Sequence, residues 1–179
     1  MSNNISKQID TKYTNSKEQI IFQLKLYISK QGFEIAEEDI NKPWGAYFKL
    51  SRNNTDKFIQ NYFNLDEKTK QETKGLNLDP KFLLVAPQKK LSWQYHFNRA
   101  EIWAVLVGPV KVVTSDNDTE NNIATLQTGE NIQIQTQERH RLIGLDNWGI
   151  VAEIWVHTNK NQLSDESDII RVQDDFGRG

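Results

Sequence analysis

The stretch SKEQIIFQLKLYISKQGF, residues 16–33, places Ile20, Ile21, Leu24, Tyr27 and Ile28 on one face of a 3.6-residue period. Ser16 and Gln19 stand at capping-box spacing and Gly32 sits where a C-terminal cap belongs, so a helix is predicted over 16–31, with an apolar face that needs cover. TDKFIQNYF, residues 55–63, repeats the period through Phe58, Ile59, Tyr62 and Phe63 and predicts a second, shorter helix. NLDEKTKQETKGLNLD after it reads as a solvated connection, and residues 1–15, polar and aperiodic, read as a mobile arm. From Lys81 the pattern changes to short β-rich runs: KFLLVA, LSWQYH, EIWAVLVG, PVKVVTS, NIQIQ and GIVAEIWVH, each bounded by Gly, Pro, Asn or Asp. Such spacing predicts a small antiparallel barrel or sandwich. Ile169, Ile170, Val172 and Phe176 give the acidic tail enough apolar surface to dock on it. The expected organisation is one structural domain: an arm over 1–15, a helical extension with the first barrel strand over 16–80, and the barrel with its tail over 81–179.

Composition narrows the chemistry. The 179 residues with 37% hydrophobic content suit one core. There is no cysteine, which excludes disulfides and thiolate zinc sites. No stretch approaches the ~20 apolar residues of a membrane span, and the N-terminus lacks an apolar signal core, so a cytoplasmic location and no membrane partner are expected. A net charge of −2 with scattered basic residues argues against a nucleic-acid partner.

Within the strand LSWQYH, alternation sends Gln94 and His96 to one face and Trp93 and Tyr95 to the other. The turn FNRA can return Glu101 to the same interior, and His140 in ERHRL supplies a fourth group. Two imidazoles, an amide oxygen and a carboxylate suit one divalent ion, zinc first, with manganese, iron, cobalt or nickel compatible.

Gly108 follows Glu101 after six intervening residues and Gly129 precedes His140 by eleven, the spacings of the two cupin motifs, with Gln94 in place of the first His. KPWGAYFKL, LSWQYHFNRAEIW, ERHRL and DIIRVQDDFGR, in this order over about residues 40–178, resemble the signatures of the cupin-type, type II mannose-6-phosphate isomerases. These occur alone, including stand-alone bacterial cupins labelled mannose-6-phosphate or phosphoheptose isomerase, or as the C-terminal domain of mannose-1-phosphate guanylyltransferases. The resemblance implies a mainly β cupin fold, a double-stranded β-helix or jelly-roll barrel with an α-helical N-terminal extension. It also implies Gln94, His96, Glu101 and His140 as metal ligands and Arg99 as the signature arginine of isomerisation. The chain departs from the pattern at Phe97, Asn98 and Ile102, where the family has further histidines, and at Gln135 and Gln137, where the second motif has Pro and Gly. A proton relay through those histidines is lost.

An aldose–ketose isomerase needs a cation to stabilise the enediolate and a general base. Glu138 and Glu153 are base candidates by type; His157 is a further candidate or a barrel-rim residue. Arg99 and Arg141, next to the metal motifs, are the expected phosphate readers, with Lys89, Lys90, Arg171 and Arg178 within reach of the mouth. Trp44 either walls the sugar pocket or belongs to the core. The expected reaction converts mannose 6-phosphate to fructose 6-phosphate. The alternatives are isomerisation or epimerisation of a heptose or glucose phosphate, or a non-catalytic metal- and sugar-binding cupin. A homodimer would be in keeping with the fold.

Overall fold

In the computed structural model, which describes residues 5–177, the first helix forms over Lys17–Lys30 (α1). The Gln19 N–H donates to Ser16 Oγ at 3.3 Å, and the Ser16 N–H donates to Gln19 Oε1 at 2.8 Å. Gly32 ends it at φ +68, a conformation that costs an L side chain about 1–2 kcal/mol. Thr55–Tyr62 (α2) follows its predicted period. A third helix, Glu67–Thr73 (α3), lies inside the stretch read as a connection; Asp66 caps it by accepting the Thr69 N–H at 2.7 Å. Its apolar stripe is missing because only Thr69 is buried there. Among the described residues no helix is long and apolar enough to cross a membrane.

Among the described residues there are eleven strands, in chain order β1 (Ile35–Asp39), β2 (Gly45–Leu50), β3 (Asn77–Val85), β4 (Trp93–His96), β5 (Arg99–Val107), β6 (Val110–Ser115), β7 (Asn122–Leu126), β8 (Asn131–Ile134), β9 (Arg139–Gly144), β10 (Gly149–His157) and β11 (Ile169–Gln173). They pair in two sheets, β1-β2-β3-β10-β5-β8 and β11-β4-β9-β6-β7. Every pairing is antiparallel. Gly45 is required where β2 meets β3, because a Cβ there would lie 1.8 Å from the Leu84 carbonyl oxygen.

The centre of the six-stranded sheet is buried on both faces, which explains the near-continuous apolar run GIVAEIWVH of β10. Ile150, Ala152, Ile154 and Val156 belong to an outer core with Ile20, Leu24 and Ile28 of α1 and Phe58 of α2. Val151 joins Trp44, Leu83, Trp103, Val105, Val112 and Leu142 in the core between the sheets. The helical extension is thus a third layer that covers the sheet face away from the sandwich.

Residues 5–15 do not form the mobile arm expected of them. Ile5 and Ile9 are each 3% exposed within the outer core. The Trp148 N–H donates to Thr11 O at 2.9 Å, Trp148 Nε1–H to Asn15 O at 3.1 Å, and the Tyr13 N–H to Asn147 Oδ1 at 3.0 Å. Two isoleucines four residues apart in a polar stretch make no periodic pattern, yet suffice to anchor it. The first four residues of that expected arm lie outside the described residues.

Candidate metal centre

Strand register builds the site. Residues directly opposite one another share a face, so one row of the six-stranded sheet reads Lys81, Glu153, Trp103 and the next Asp79, Trp155, Glu101. In the facing sheet one row reads Arg171, Gln94, His140, Thr114. The hairpin Phe97–Asn98 carries the chain from one sheet to the other, which lets His96 and Glu101 approach from opposite walls.

His96, Glu101 and His140, each no more than 2% exposed, bring a ligand atom apiece within 4.8 Å of one another. His96 Nε2 lies 3.2 Å from Glu101 Oε1, and His140 Nε2 lies 3.4 Å from Glu101 Oε2. His140 Nδ1–H donates to Glu138 O at 2.9 Å, which leaves Nε2 with its lone pair inward. That Nε2 is buried and has no hydrogen-bond partner. Burial drives the His140 imidazole down to about 4, so it is neutral at pH 7. Burial alone would raise the Glu101 carboxyl, but His140, His96 and Arg99 hold it well below the usual carboxylate range. A neutral imidazole with an idle lone pair beside an ionised carboxylate is a donor set that can hold a divalent cation. Gln94 lines the same cavity; its Oε1 accepts from Ser92 Oγ at 2.5 Å and keeps a second lone pair.

The cavity beside this triad has a free volume of about 40 Å³, room for about three waters. Trp44 lines it and is also part of the inter-sheet core. Glu153 is the base candidate that the fold brings in. Trp103 Nε1–H is shared between Glu153 Oε1 and Glu101 Oε2, both at 3.0 Å, while Glu153 Oε2 stands 3.6 Å from Lys81 Nζ. Burial and then the Glu101 charge push Glu153 up to about 8, against Lys81. Burial in turn lowers Lys81.

Other expected site residues lie elsewhere. Glu138 Oε2 accepts the Gln135 N–H at 2.8 Å in a turn. His157 Nε2–H donates to Asp79 Oδ2 at 3.0 Å and its Nδ1 accepts the Ser164 N–H at 3.0 Å, so both ring nitrogens of this buried residue are committed to protein partners. Arg141 neighbours His140 on β9 and therefore points to the opposite face; it donates to Leu91 O and Glu120, and does not line the cavity. Lys90 pairs with Asp175 at 3.1 Å, neither Lys89 nor Lys90 lines the cavity, and Arg178 is outside the described residues.

Arg99 does line the cavity, but its donors are committed to protein. They reach Glu101 Oε1 at 2.9 Å, Ser164 Oγ at 2.7 Å, Asp165 O at 3.1 Å and His96 Nε2 at 3.2 Å, with the guanidinium stacked 3.7 Å from the Trp155 ring centre. The departures from the histidine pattern fall outside the cavity. Phe97 is 51% exposed against Tyr95, Asn98 binds Asp168, and Ile102 is in the outer core. Gln137, where the family pattern has Gly, adopts a left-handed backbone, φ +63.

Sequence reading missed Lys42, Lys81, Trp155, Glu166 and Ser164. Glu153 and Lys81 at inward positions of otherwise apolar strands were the available signal; nothing in a loop glutamate or serine marks Glu166 or Ser164.

The architecture is that of the cupins. A Bacillus subtilis oxalate decarboxylase variant superposes with a TM-score of 0.54 at 12% identity, covering 75% of this chain and 30% of that one. Hazelnut (Corylus avellana) vicilin gives 0.50 at 13% identity, covering 72% and 32%. Among curated proteins, mannose-1-phosphate guanylyltransferase of Escherichia coli (strain K12) is 34% identical over 140 residues, 78% of this chain and 23% of the relative. The enzyme of the same name from Salmonella montevideo is 23% identical over 154 residues, 86% and 26%. The chain spans about a quarter of the length of these relatives. Residues 68–174, which carry the whole triad, match the family model described as mannose-6-phosphate isomerase C-terminal, and the chain belongs to that cupin family.

Proposed function

We propose that this chain is a metal-dependent aldose–ketose isomerase of a sugar phosphate, with mannose 6-phosphate and fructose 6-phosphate as the first pair to test. The observation that carries the reading is the adjacency of a His96–Glu101–His140 cluster to a cavity that its Glu101 lines together with a separate carboxylate, Glu153, whose Oε2 is free of hydrogen bonds. Gln94, His96, Glu101 and His140 would hold the ion, zinc first. A bound divalent ion would supply Lewis-acid stabilisation for charge developing on the C1 and C2 oxygens of the open-chain sugar.

The remaining work falls to the protein. Glu153 Oε2, buried and free of hydrogen bonds, is the group assigned to hold the proton that moves between C2 and C1. Lys81, 3.6 Å away, counters its charge. Trp103 fixes Glu153 and Glu101 together through one indole N–H. Arg99 acts as a positioning residue that holds Glu101, His96 and the Ser164 loop in register. Phe97, Asn98 and Ile102 point away from the cavity, so the departures that motivated a non-catalytic cupin leave this machinery untouched.

The test is turnover by metal-reconstituted protein on mannose, glucose and heptose phosphates, followed by exchange of the C2 proton with solvent. Glu153→Gln is expected to lower kcat by about 10²- to 10⁴-fold with metal content unchanged. Absence of C2 exchange on every sugar phosphate in metal-loaded wild type would overturn the isomerase reading.

A further inference from the structure

Glu166 lies in the turn just before β11 and lines the cavity. One carboxylate oxygen is 3.8 Å from Lys81 Nζ and the other is 3.9 Å from Lys42 Nζ, while Lys81 also faces Glu153 at 3.6 Å and Lys42 faces Asp39 at 3.3 Å. A carboxylate held between two ammonium groups, yet beyond hydrogen-bond range of both, marks a place where the protein favours an anion and grips its own loosely. A third cation belongs to the same wall. Arg171 on β11 lines the cavity, and its buried Nε–H has no acceptor. A buried donor left unpaired costs about 1–3 kcal/mol and asks for an explanation. The other guanidinium of the cavity, Arg99, has its donors spent on Glu101, His96, Ser164 and Asp165.

We propose that Lys42, Lys81 and Arg171 form the anion subsite of this cavity and that the Glu166 carboxylate occupies it as an internal stand-in, displaced by the phosphate of the ligand. The proposal rests on the sugar-phosphate reading and assigns the phosphate end of that ligand. A phosphate monoester carries about 1.5–2 negative charges and three acceptor oxygens, against one charge and two oxygens for Glu166, so it outcompetes the carboxylate for the same cations. It also offers an acceptor to Arg171 Nε–H. Displacement needs little rearrangement, because Glu166 is half-buried at the mouth while the residues on either side hold the loop. Ser164 is fixed by Arg99 and His157, and Asp168 by Phe97 and Asn98. Rotation of one side chain outward opens a cavity that is otherwise too small for a sugar phosphate.

Calorimetric titration of the full chain with inorganic phosphate tests this, using wild type, Glu166→Gln, Lys42→Met and Arg171→Gln. Glu166→Gln is expected to bind phosphate about threefold tighter, since a screened competitor charge is removed. Lys42→Met and Arg171→Gln are each expected to bind about tenfold weaker. A gain in Glu166→Gln cannot arise from misfolding, which keeps the test meaningful if a cation variant is unstable. The proposal is overturned if Glu166→Gln binds no tighter than wild type, if both cation variants bind like wild type, or if neither wild type nor Glu166→Gln binds phosphate. Turnover measured on the same preparations separates the two claims: the expected affinity pattern without isomerisation refutes the enzyme reading alone, and isomerisation without that pattern refutes the subsite alone.

Discussion

Replacing Asp79 by Asn is expected to destabilise the protein by about 3 kcal/mol at neutral pH. The carboxylate is 1% exposed and receives three cationic or imidazole partners: His157 Nε2 at 3.0 Å, Lys49 Nζ at 2.9 Å and the Arg52 guanidinium. The bond from buried His157 counts in full, roughly 2 kcal/mol for a hydrogen bond to a charged group. Lys49 and Arg52 side chains are 24% and 46% exposed, so solvent screening leaves about 0.5 kcal/mol each. Burial alone would raise the Asp79 carboxyl, but bonds from His157, Arg52 and Lys49 outweigh it and hold the group far below the usual carboxylate range. A depressed folded value contributes stability that is present above the unfolded value near 3.9, about the model-peptide figure, and is lost as pH falls below it. Asn cannot titrate. Urea denaturation of both proteins at pH 7 and pH 3 should therefore show the gap between them shrink by about 1 kcal/mol, the linkage over roughly one pH unit. A gap that stays constant or widens in acid would refute the reasoning, and so would a gap under about 1 kcal/mol at pH 7.

Removing an imidazole from the triad, by His96→Ala or His140→Ala, is expected to empty the metal site while the sandwich stays folded; elemental analysis and circular dichroism read the two outcomes. Phe58, fully buried against Phe33, Tyr62, Phe63 and Phe82, should cost about 3–5 kcal/mol on truncation to Ala, measured by chemical denaturation. Arg141→Lys should leave sugar-phosphate affinity within about twofold, because the guanidinium reaches Leu91 O and Glu120 on the face away from the cavity, and should lower stability by about 1 kcal/mol through loss of the fork.

What could be read from the sequence was whatever repeats or has a fixed spacing. The α1 capping box, the α2 stripe and the β-rich runs all impose local patterns, and Gln94, His96 and Glu101 could be grouped because strand alternation and hairpin return act over few residues, while His140 came from the fixed spacing of a second motif. Strands β1 and β7 escaped because IAEED and NIATL are edge strands with largely exposed side chains, so neither face is marked by apolar residues. Strand β9 escaped for the opposite reason: RHRLIG starts polar because it buries His140 of the triad and Arg141 side by side. Alternation was also the rule that separates those two, and applying it to Arg141 as it was applied to Gln94 and His96 would have turned that arginine away from the pocket. Asp79, His157 and Ser164 meet only through contacts across 78 and 7 positions of chain, and no local spacing signals such a meeting.

The crossover at Phe97–Asn98 places His96 and His140 on one sheet and Glu101 on the other. An ion gripped by all three would rivet the two halves of the sandwich. An unfolded chain offers no such grouping, so the whole binding free energy would resist parting of the sheets, about 2.7 kcal/mol when free ion stands at a hundred times its dissociation constant. Thermal endurance of this protein would then be a property of the surrounding ion concentration as much as of its own packing.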